Sequence, residues 1–377
     1  MWFRSRLSAL SVLGLFACSG AQEDAPAPER TIWLGSDLSY VNEMLDCGAV
    51  YRDGGVVKDP YRLFADRGNN LVRLRLWHTP DWTAYSTLED VTRAIRASKA
   101  AGMQVLLDFH YSDNWADPGD QIIPAAWEGL DDAALAGAVY DYTYSVLSGL
   151  AAEGLMPDMV QVGNETNTEV MLPANVPEDT PINWVRNAQL LGAGLKAVRD
   201  AGLAAGAPPL AMLHIAQPEY AEPWFDDAAA HGLTDFDIIG LSYYPKWSTE
   251  DMEGLSDTIR RLRQKYGKEV IVVETAYPFT LENKDEAGNI LGEDSLIEDY
   301  PATVDGQRRF LIDMTEAVLS ADGSGVVYWE PAWVSTNCST RWGKGSHWEN
   351  AGFFDYEDTN ATEAFDFLTH DYDVPPR

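Results

Sequence analysis

Eight times along this chain a short aliphatic run is followed by a longer stretch with helical spacing, and this alternation restricts the fold more than any other feature. The candidate strands are residues 32–37, 71–77, 104–110, 159–165, 210–215, 237–244, 269–275 and 325–330. Helical patterns fall at 59–66, 88–101, 131–153, 183–201, 218–231, 249–266 and 302–321, with an eighth at 362–368. Several begin near Asp, Pro or Thr and end at Gly, as helix caps require. Runs such as Val270 to Val273 are apolar throughout, which fits strands covered on both faces. Eight β–α units point to a (β/α)8 TIM barrel, an α/β fold in one domain spanning 31–377. A doubly wound sheet is the alternative, but no Gly-rich phosphate turn supports one. A length of 377 residues and 46% hydrophobic content suit one barrel with a large core.

Two of these strands end in an acid. The run Met159-Val-Gln-Val ends in Gly163-Asn164-Glu165, and Glu269-Val-Ile-Val-Val ends at Glu274. An ionised carboxylate at the end of a buried strand is costly unless it is paired or used. In a (β/α)8 barrel the active site lies at the C-terminal ends of the strands. The other ends add Asp37, Arg73, Trp77, Asp108, His110, Trp115, Asn164, His214, Tyr243, Tyr244, Trp247, Trp329, Glu330 and Trp333. Taken singly, His110 and His214 fit core histidines, Arg73 an ion-pair partner and Trp329 a core residue. Their convergence on one rim points to a site. Glycoside hydrolysis needs one carboxyl that gives a proton and one that stays ionised. Tryptophan offers a plate to a sugar ring, and Asn a hydrogen bond to a hydroxyl. Arg or Tyr beside the second carboxylate would keep it ionised. The expected substrate-binding set is Asp37, Arg73, His110, Trp115, Asn164, His214, Tyr244, Trp329 and Trp333, around catalytic Glu165 and Glu274.

The net charge of −32 argues against nucleic acid and anionic membrane surfaces as partners. Residues 1–18 read as an export signal. Met1-Trp-Phe-Arg-Ser-Arg is basic, and Leu7 to Ala17 is apolar but too short to span a bilayer. Leu15-Phe-Ala-Cys18 is similar to a bacterial lipobox, with an ordinary cleavage site as the alternative. A lipid anchor at Cys18 would make the protein an exported outer-membrane or cell-surface lipoprotein; otherwise it is secreted. Residues 19–30 read as a disordered tether. A monomer is expected. Cys47 and Cys338 follow the first and last strands, which are neighbours in a closed barrel. Exported proteins tend to pair such cysteines, so a disulfide is expected against two free thiols.

Several blocks resemble the arabinogalactan endo-β-1,4-galactanases of glycoside hydrolase family 53. They are Gly35-Ser-Asp-Leu-Ser, Val72 to Trp77, Leu107-Asp-Phe-His-Tyr-Ser-Asp-Asn-Trp-Ala-Asp-Pro-Gly119, Pro124-Ala-Ala-Trp127, Val160-Gln-Val-Gly-Asn-Glu-Thr-Asn167, Gly240-Leu-Ser-Tyr-Tyr-Pro245, Val272 to Pro278 and Tyr328-Trp-Glu-Pro-Ala-Trp333. The resemblance implies a retaining endo-hydrolase of β-1,4-galactan side chains of pectin, with Glu165 as acid/base, Glu274 as nucleophile and no cofactor. A mannanase on the same barrel is the alternative enzyme, and a glycan-binding lipoprotein without activity the alternative outside enzymes. Some bacterial members carry calcium in the loop after the seventh strand. Here Asn283, Asp285 and Asn289 offer oxygens, but Ala287 stands where another ligand is expected, and a solvated acidic loop is the favoured reading. The stretch 334–350 departs from the family pattern and is expected to shape distal sugar subsites.

Overall fold

The computed structural model describes residues 1–2, 31–177 and 180–374. Residues 31–374 belong to one compact unit. The export segment beyond Trp2 and the tether lie outside the described residues. No helix among the described residues is long and apolar enough to cross a membrane.

That unit is a closed barrel of eight parallel strands. These are β1 (Trp33–Asp37), β4 (Leu71–Leu76), β5 (Gln104–Phe109), β6 (Met159–Val162), β7 (Leu210–Ala216), β8 (Ile238–Ser242), β9 (Glu269–Glu274) and β10 (Gly325–Tyr328). Strand β1 closes the ring, pairing with β10 on one side and β4 on the other. Between β1 and β4 lies a hairpin of β2 (Tyr51–Asp53) and β3 (Val56–Lys58). Helices α1 (Val41–Asp46), α2 (Pro60–Asp66), α3 (Leu88–Ala100), α4 (Asp132–Ala152), α5 (Trp184–Ala205), α6 (Pro218–Ala230), α7 (Met252–Tyr266) and α8 (Val304–Ser320) follow in order. All eight expected strands are present, and their order is that of a (β/α)8 barrel.

Side-chain caps set most helix starts. Asp59, Thr87, Asp131, Asn183, Asp251 and Thr303 each accept a backbone N–H of the first turn. Helix α5 runs past the expected end at 201, because Gly202 lies inside it and Gly206, at φ 65°, is the true cap. A side chain at Gly202 would strike Pro208 and Pro209, so that glycine serves the return of the chain. The eighth helical pattern is a 3-10 segment, Glu363–Leu368, too short for α geometry to gain much. Helix α1 and the β2–β3 hairpin carry little periodicity and were not expected.

The barrel interior changes character along its axis. Its lower layers hold Trp33, Leu71, Leu106, Met159, Met212, Ile238 and Val327, all buried. Two residues further along the strands stand Arg73, Asp108, Gln161 and His214, buried and polar. The apolar plug supports the polar layer from below and keeps water out of it.

Cys47 and Cys338 form a disulfide with their Cα atoms 5.8 Å apart. The bond ties the segment after β10 to the end of α1. Reduction is expected to remove about 2–4 kcal/mol and lower Tm while leaving the barrel folded, since β1–β10 pairing closes it independently. Thermal unfolding with and without reductant, followed by circular dichroism, checks this. An unchanged Tm after confirmed reduction would overturn it.

Candidate active site

Strand β6 stops at Val162, three residues short of Glu165. Gly163 leaves the ladder at φ 85°, where a side chain would meet the Thr166 methyl. Glu165 itself sits at φ 44°, a left-handed conformation that costs a non-glycine residue energy. This turn aims Asn164 and Glu165 over the barrel mouth. Across the mouth, Glu274 ends β9. A carboxylate oxygen of Glu165, one of Glu274 and a ring nitrogen of His214 all lie within 4.8 Å of one another.

Arg73, buried under this pair, bonds to residues of β1, β5, β9 and the end of β6. It donates to Asp37 at 2.8 Å, Asp108 at 2.9 Å, Asn164 Oδ1 at 2.7 Å and Gln161 at 3.2 Å, and pairs with Glu274 at 2.8 Å. Tyr244 donates its hydroxyl to the other oxygen of Glu274 at 3.0 Å. Burial pushes Glu274 up to about 7, with Arg73 and the Tyr244 hydrogen bond opposing it. Glu165 is pushed well above the usual carboxylate range, first by desolvation and then by the charge of Glu274. Among the described residues, the Ser242 hydroxyl donates to its carboxylate. In a singly protonated pair the proton therefore resides on Glu165.

His214 stands behind the pair. Its Nε2 lies 2.9 Å from Ser242 Oγ, and its Nδ1 lies 2.9 Å from Asn164 Oδ1. Burial, helped by the Arg73 charge, holds it well below the usual histidine range, so it is neutral. Burial would push Asp108 up, but Arg73 and His110 outweigh this and hold it below the usual carboxylate range. His110 bonds to Asp108 through Nε2 at 3.0 Å, and its Nδ1 accepts the Ala116 N–H at 3.1 Å.

Above the pair lies a cleft of about 680 Å³. Trp115, Trp329 and Trp247 line its walls, and Asn167, Gln217 and Tyr220 line the side beyond Glu165.

The model of glycosyl hydrolase family 53 matches residues 33–368. The chain belongs to that family. It is 51% identical over 367 residues to the arabinogalactan endo-beta-1,4-galactanase of Cellvibrio japonicus, covering 96% of this chain and 95% of that one. The solved family 53 catalytic domain of Ignisphaera aggregans superposes with a TM-score of 0.83 at 31% identity, covering 92% of this chain and 98% of that one. A structure from a study of two fungal beta-1,4-galactanases gives 0.77 at 26% identity, covering 90% and 100%.

Among the residues expected at this family 53 cleft, Arg73, His110, Trp115, Asn164, Glu165, Tyr244, Glu274 and Trp329 line it. Three do not. Asp37 is fully buried beside Arg73, so its carboxylate balances charge. His214 is fully buried below Asn164 and Ser242. Trp333 is stacked 4.0 Å from Tyr40, where the turn at Glu330 (φ 50°) sends it behind Trp329. The suggested calcium ligands do not line the cleft either. Asn283 accepts the Asn289 N–H, and Asp285 accepts the N–H groups of Ala287 and Ser346, locking the loop against the segment after β10.

Sequence reading missed Ser242, whose place on the inner face of β8 follows from strand alternation. It also missed Trp348, which reaches the cleft from a segment without regular pattern and donates to the Trp329 carbonyl at 3.1 Å.

Replacing Arg73 by Ala leaves Asp37, Asp108 and Glu274 buried without their cation. The expected loss is about 3–5 kcal/mol of unfolding free energy, measured by urea denaturation. A loss below about 1 kcal/mol, the scale of an exposed ion pair, would contradict this account.

Proposed function

We propose that the protein hydrolyses internal β-1,4-galactosidic bonds of galactan or arabinogalactan with retention of configuration. The observation that carries the reading is that carboxylate oxygens of Glu165 and Glu274 lie within 4.8 Å of each other across the barrel mouth. Retaining glycosidases hold their carboxyl groups ~5–5.5 Å apart, whereas inverting ones leave ~6.5–9.5 Å for a water. Family 53 membership and 51% identity to the Cellvibrio japonicus galactanase support the substrate.

Glu274 is the nucleophile. Arg73 and Tyr244 favour its ionised form and aim its oxygens at the anomeric carbon. Glu165 is the acid/base. It gives its proton to the leaving oxygen as Glu274 forms the glycosyl ester; once ionised, it takes a proton from the water that cleaves the ester. Two carboxyls and water suffice for this chemistry. The Ser242 hydroxyl donates to the Glu165 carboxylate and lies 2.9 Å from His214 Nε2.

Export and lipidation at Cys18 belong to the same proposal, on the sequence of residues 1–18 alone. Cys18→Ser is expected to move the protein from the membrane fraction to the soluble one; an unchanged distribution counts against the anchor.

Galactan, mannan, xylan and homogalacturonan compared side by side test the substrate. Galactan should yield short oligosaccharides, and acidic homogalacturonan should resist a chain of net charge −32. Faster cleavage of mannan or xylan would displace the reading. Glu274→Gln should be inactive on every substrate. Glu165→Gln should lose ~10²–10⁴-fold on galactan but much less on an aryl galactoside whose leaving group needs no proton. Proton NMR should show the β-anomer first, and the α-anomer first would mean inversion.

The pH profile follows from the two pKa directions. As pH rises, kcat/KM rises while Glu274 loses its proton and falls once Glu165 loses its own. Ser242 stabilises ionised Glu165, so Ser242→Ala raises that pKa further. The alkaline limb should move to higher pH, with the acidic limb held. A shift to lower pH would reject the role of Ser242.

A further inference from the structure

The turn that carries Glu165 is gripped from two sides. Glu165 keeps a left-handed backbone at φ 44°, two residues after Gly163 at φ 85°. A non-glycine residue stays in that region only where its surroundings over-determine it. Part of the constraint comes from β7. The Thr166 N–H donates to the His214 carbonyl at 2.9 Å, and Asn167 makes a two-point clasp with the backbone of Ala216 at 2.7 and 2.9 Å. These bonds fix the chain after Glu165.

The other grip comes from the long loop after β5. Half-buried Gln121 lies 2.9 Å through Nε2 from the Asn164 carbonyl, 3.3 Å from the Glu165 carbonyl and 3.1 Å from the Asp117 carbonyl. All three are acceptors, so the nitrogen end of the amide faces them and donates. The backbone of Gln121 is itself anchored. Asp117 and Asp120 exchange backbone hydrogen bonds, and the Gln121 carbonyl accepts the Leu172 N–H at 2.8 Å. Asn164 adds a return bond, donating Nδ2 to the Ala116 carbonyl at 2.7 Å. Gln121 is not one of the residues lining the catalytic cleft. It lines a separate cavity of about 160 Å³, with Pro118, Thr168 and Leu172.

We propose that Gln121 is a positioning residue for the acid/base: by binding the Asn164 and Glu165 carbonyls, its amide holds the turn that presents the Glu165 carboxyl to the leaving oxygen. The proposal rests on the galactanase reading above and deepens it, since it makes proton delivery depend on a residue outside the cleft. The nucleophile lies beyond the reach of Gln121. Glu274 ends β9 and is oriented by Arg73 and Tyr244. Loss of the amide therefore weakens acid help and spares nucleophilic attack.

The test uses Gln121→Met, which keeps the side-chain length and removes the donors, and Gln121→Ala. On galactan, kcat/KM should fall about ten- to hundredfold, the scale of a misplacement near 1 Å. On an aryl galactobioside with a good leaving group, whose first step needs no proton, kcat/KM should stay close to the wild-type value. The pH profile gives a second readout. Glu165 is faced by the charges of Glu274, Asp117 and Arg73, with neutral His214 behind it, and neither substitution changes a charge. A loosened turn lets Glu165 reach water and leave Glu274, which relieves the two largest causes of its raised pKa. The alkaline limb should therefore move to lower pH, opposite to Ser242→Ala, with the acidic limb held. A merely structural role would lower both substrates alike and leave the limb in place. Should Gln121→Met fail to fold by circular dichroism, the same comparison in Gln121→Ala decides. Equal losses on the two substrates, no loss on galactan, or an unmoved alkaline limb overturns the proposal. Failure of the wild type to cut galactan at all would instead overturn the functional reading.

Discussion

Arg73 is the cation on which the mouth of the barrel depends. Three carboxylates, from β1, β5 and β9, point at one guanidinium that is almost wholly buried. Without it, that many acids could not occupy so small a volume in ionised form. The guanidinium is planar and offers five donors in a fixed fork, so it can bridge several partners at once where an ammonium could not. Its bonds to Asn164 and Gln161 bring β6 into the same network. Each strand end is thus positioned against a common centre, and the separation of Glu165 from Glu274 is set by that centre as well as by the barrel.

The same centre explains why two neighbouring glutamates differ. Both are desolvated, which raises both. Glu274 touches Arg73 and Tyr244, whereas Glu165 has only a serine hydroxyl and carries the added repulsion of Glu274. The division of labour follows from which carboxyl lies next to the buried cation. A charge-neutral His214 suits this arrangement, because a second cation beneath Glu165 would pull its pKa down and spoil it as an acid.

The barrel and the convergence of Glu165 and Glu274 at its mouth were legible because both obey strong local rules. Polar residues at the ends of otherwise apolar strands, as in Val160 to Glu165 and Val270 to Glu274, have few explanations other than a site. What strand ends do not reveal is height. Asp37 and His214 share the inner face with Arg73 yet lie beneath the cleft floor, and Trp333 looks like a second sugar plate until the turn at Glu330 carries it away. The helix boundary at Gly202 misled for a related reason: a glycine marks either a cap or a close approach, and only the nearby prolines decide. Trp348 lies in a segment without periodicity, where sequence offers composition alone.

Those irregular segments are nevertheless held as firmly as the strands, by different means. The loop after β9 is pinned through Asp285 to Ser346 and through Glu349 to the N–H of Lys284 and Asp285. The segment after β10 is pinned by the disulfide and by the Ser346 hydroxyl donating to the Trp333 carbonyl at 2.8 Å. Trp348 then closes on Trp329, with ring centres 4.6 Å apart. A sugar-binding plate loses binding energy if it must be ordered when the ligand arrives. Side-chain bonds to loop backbone and a long-range covalent link order these plates beforehand. The barrel fixes the positions of Glu165 and Glu274, and the fastened loops fix the aromatic walls around them.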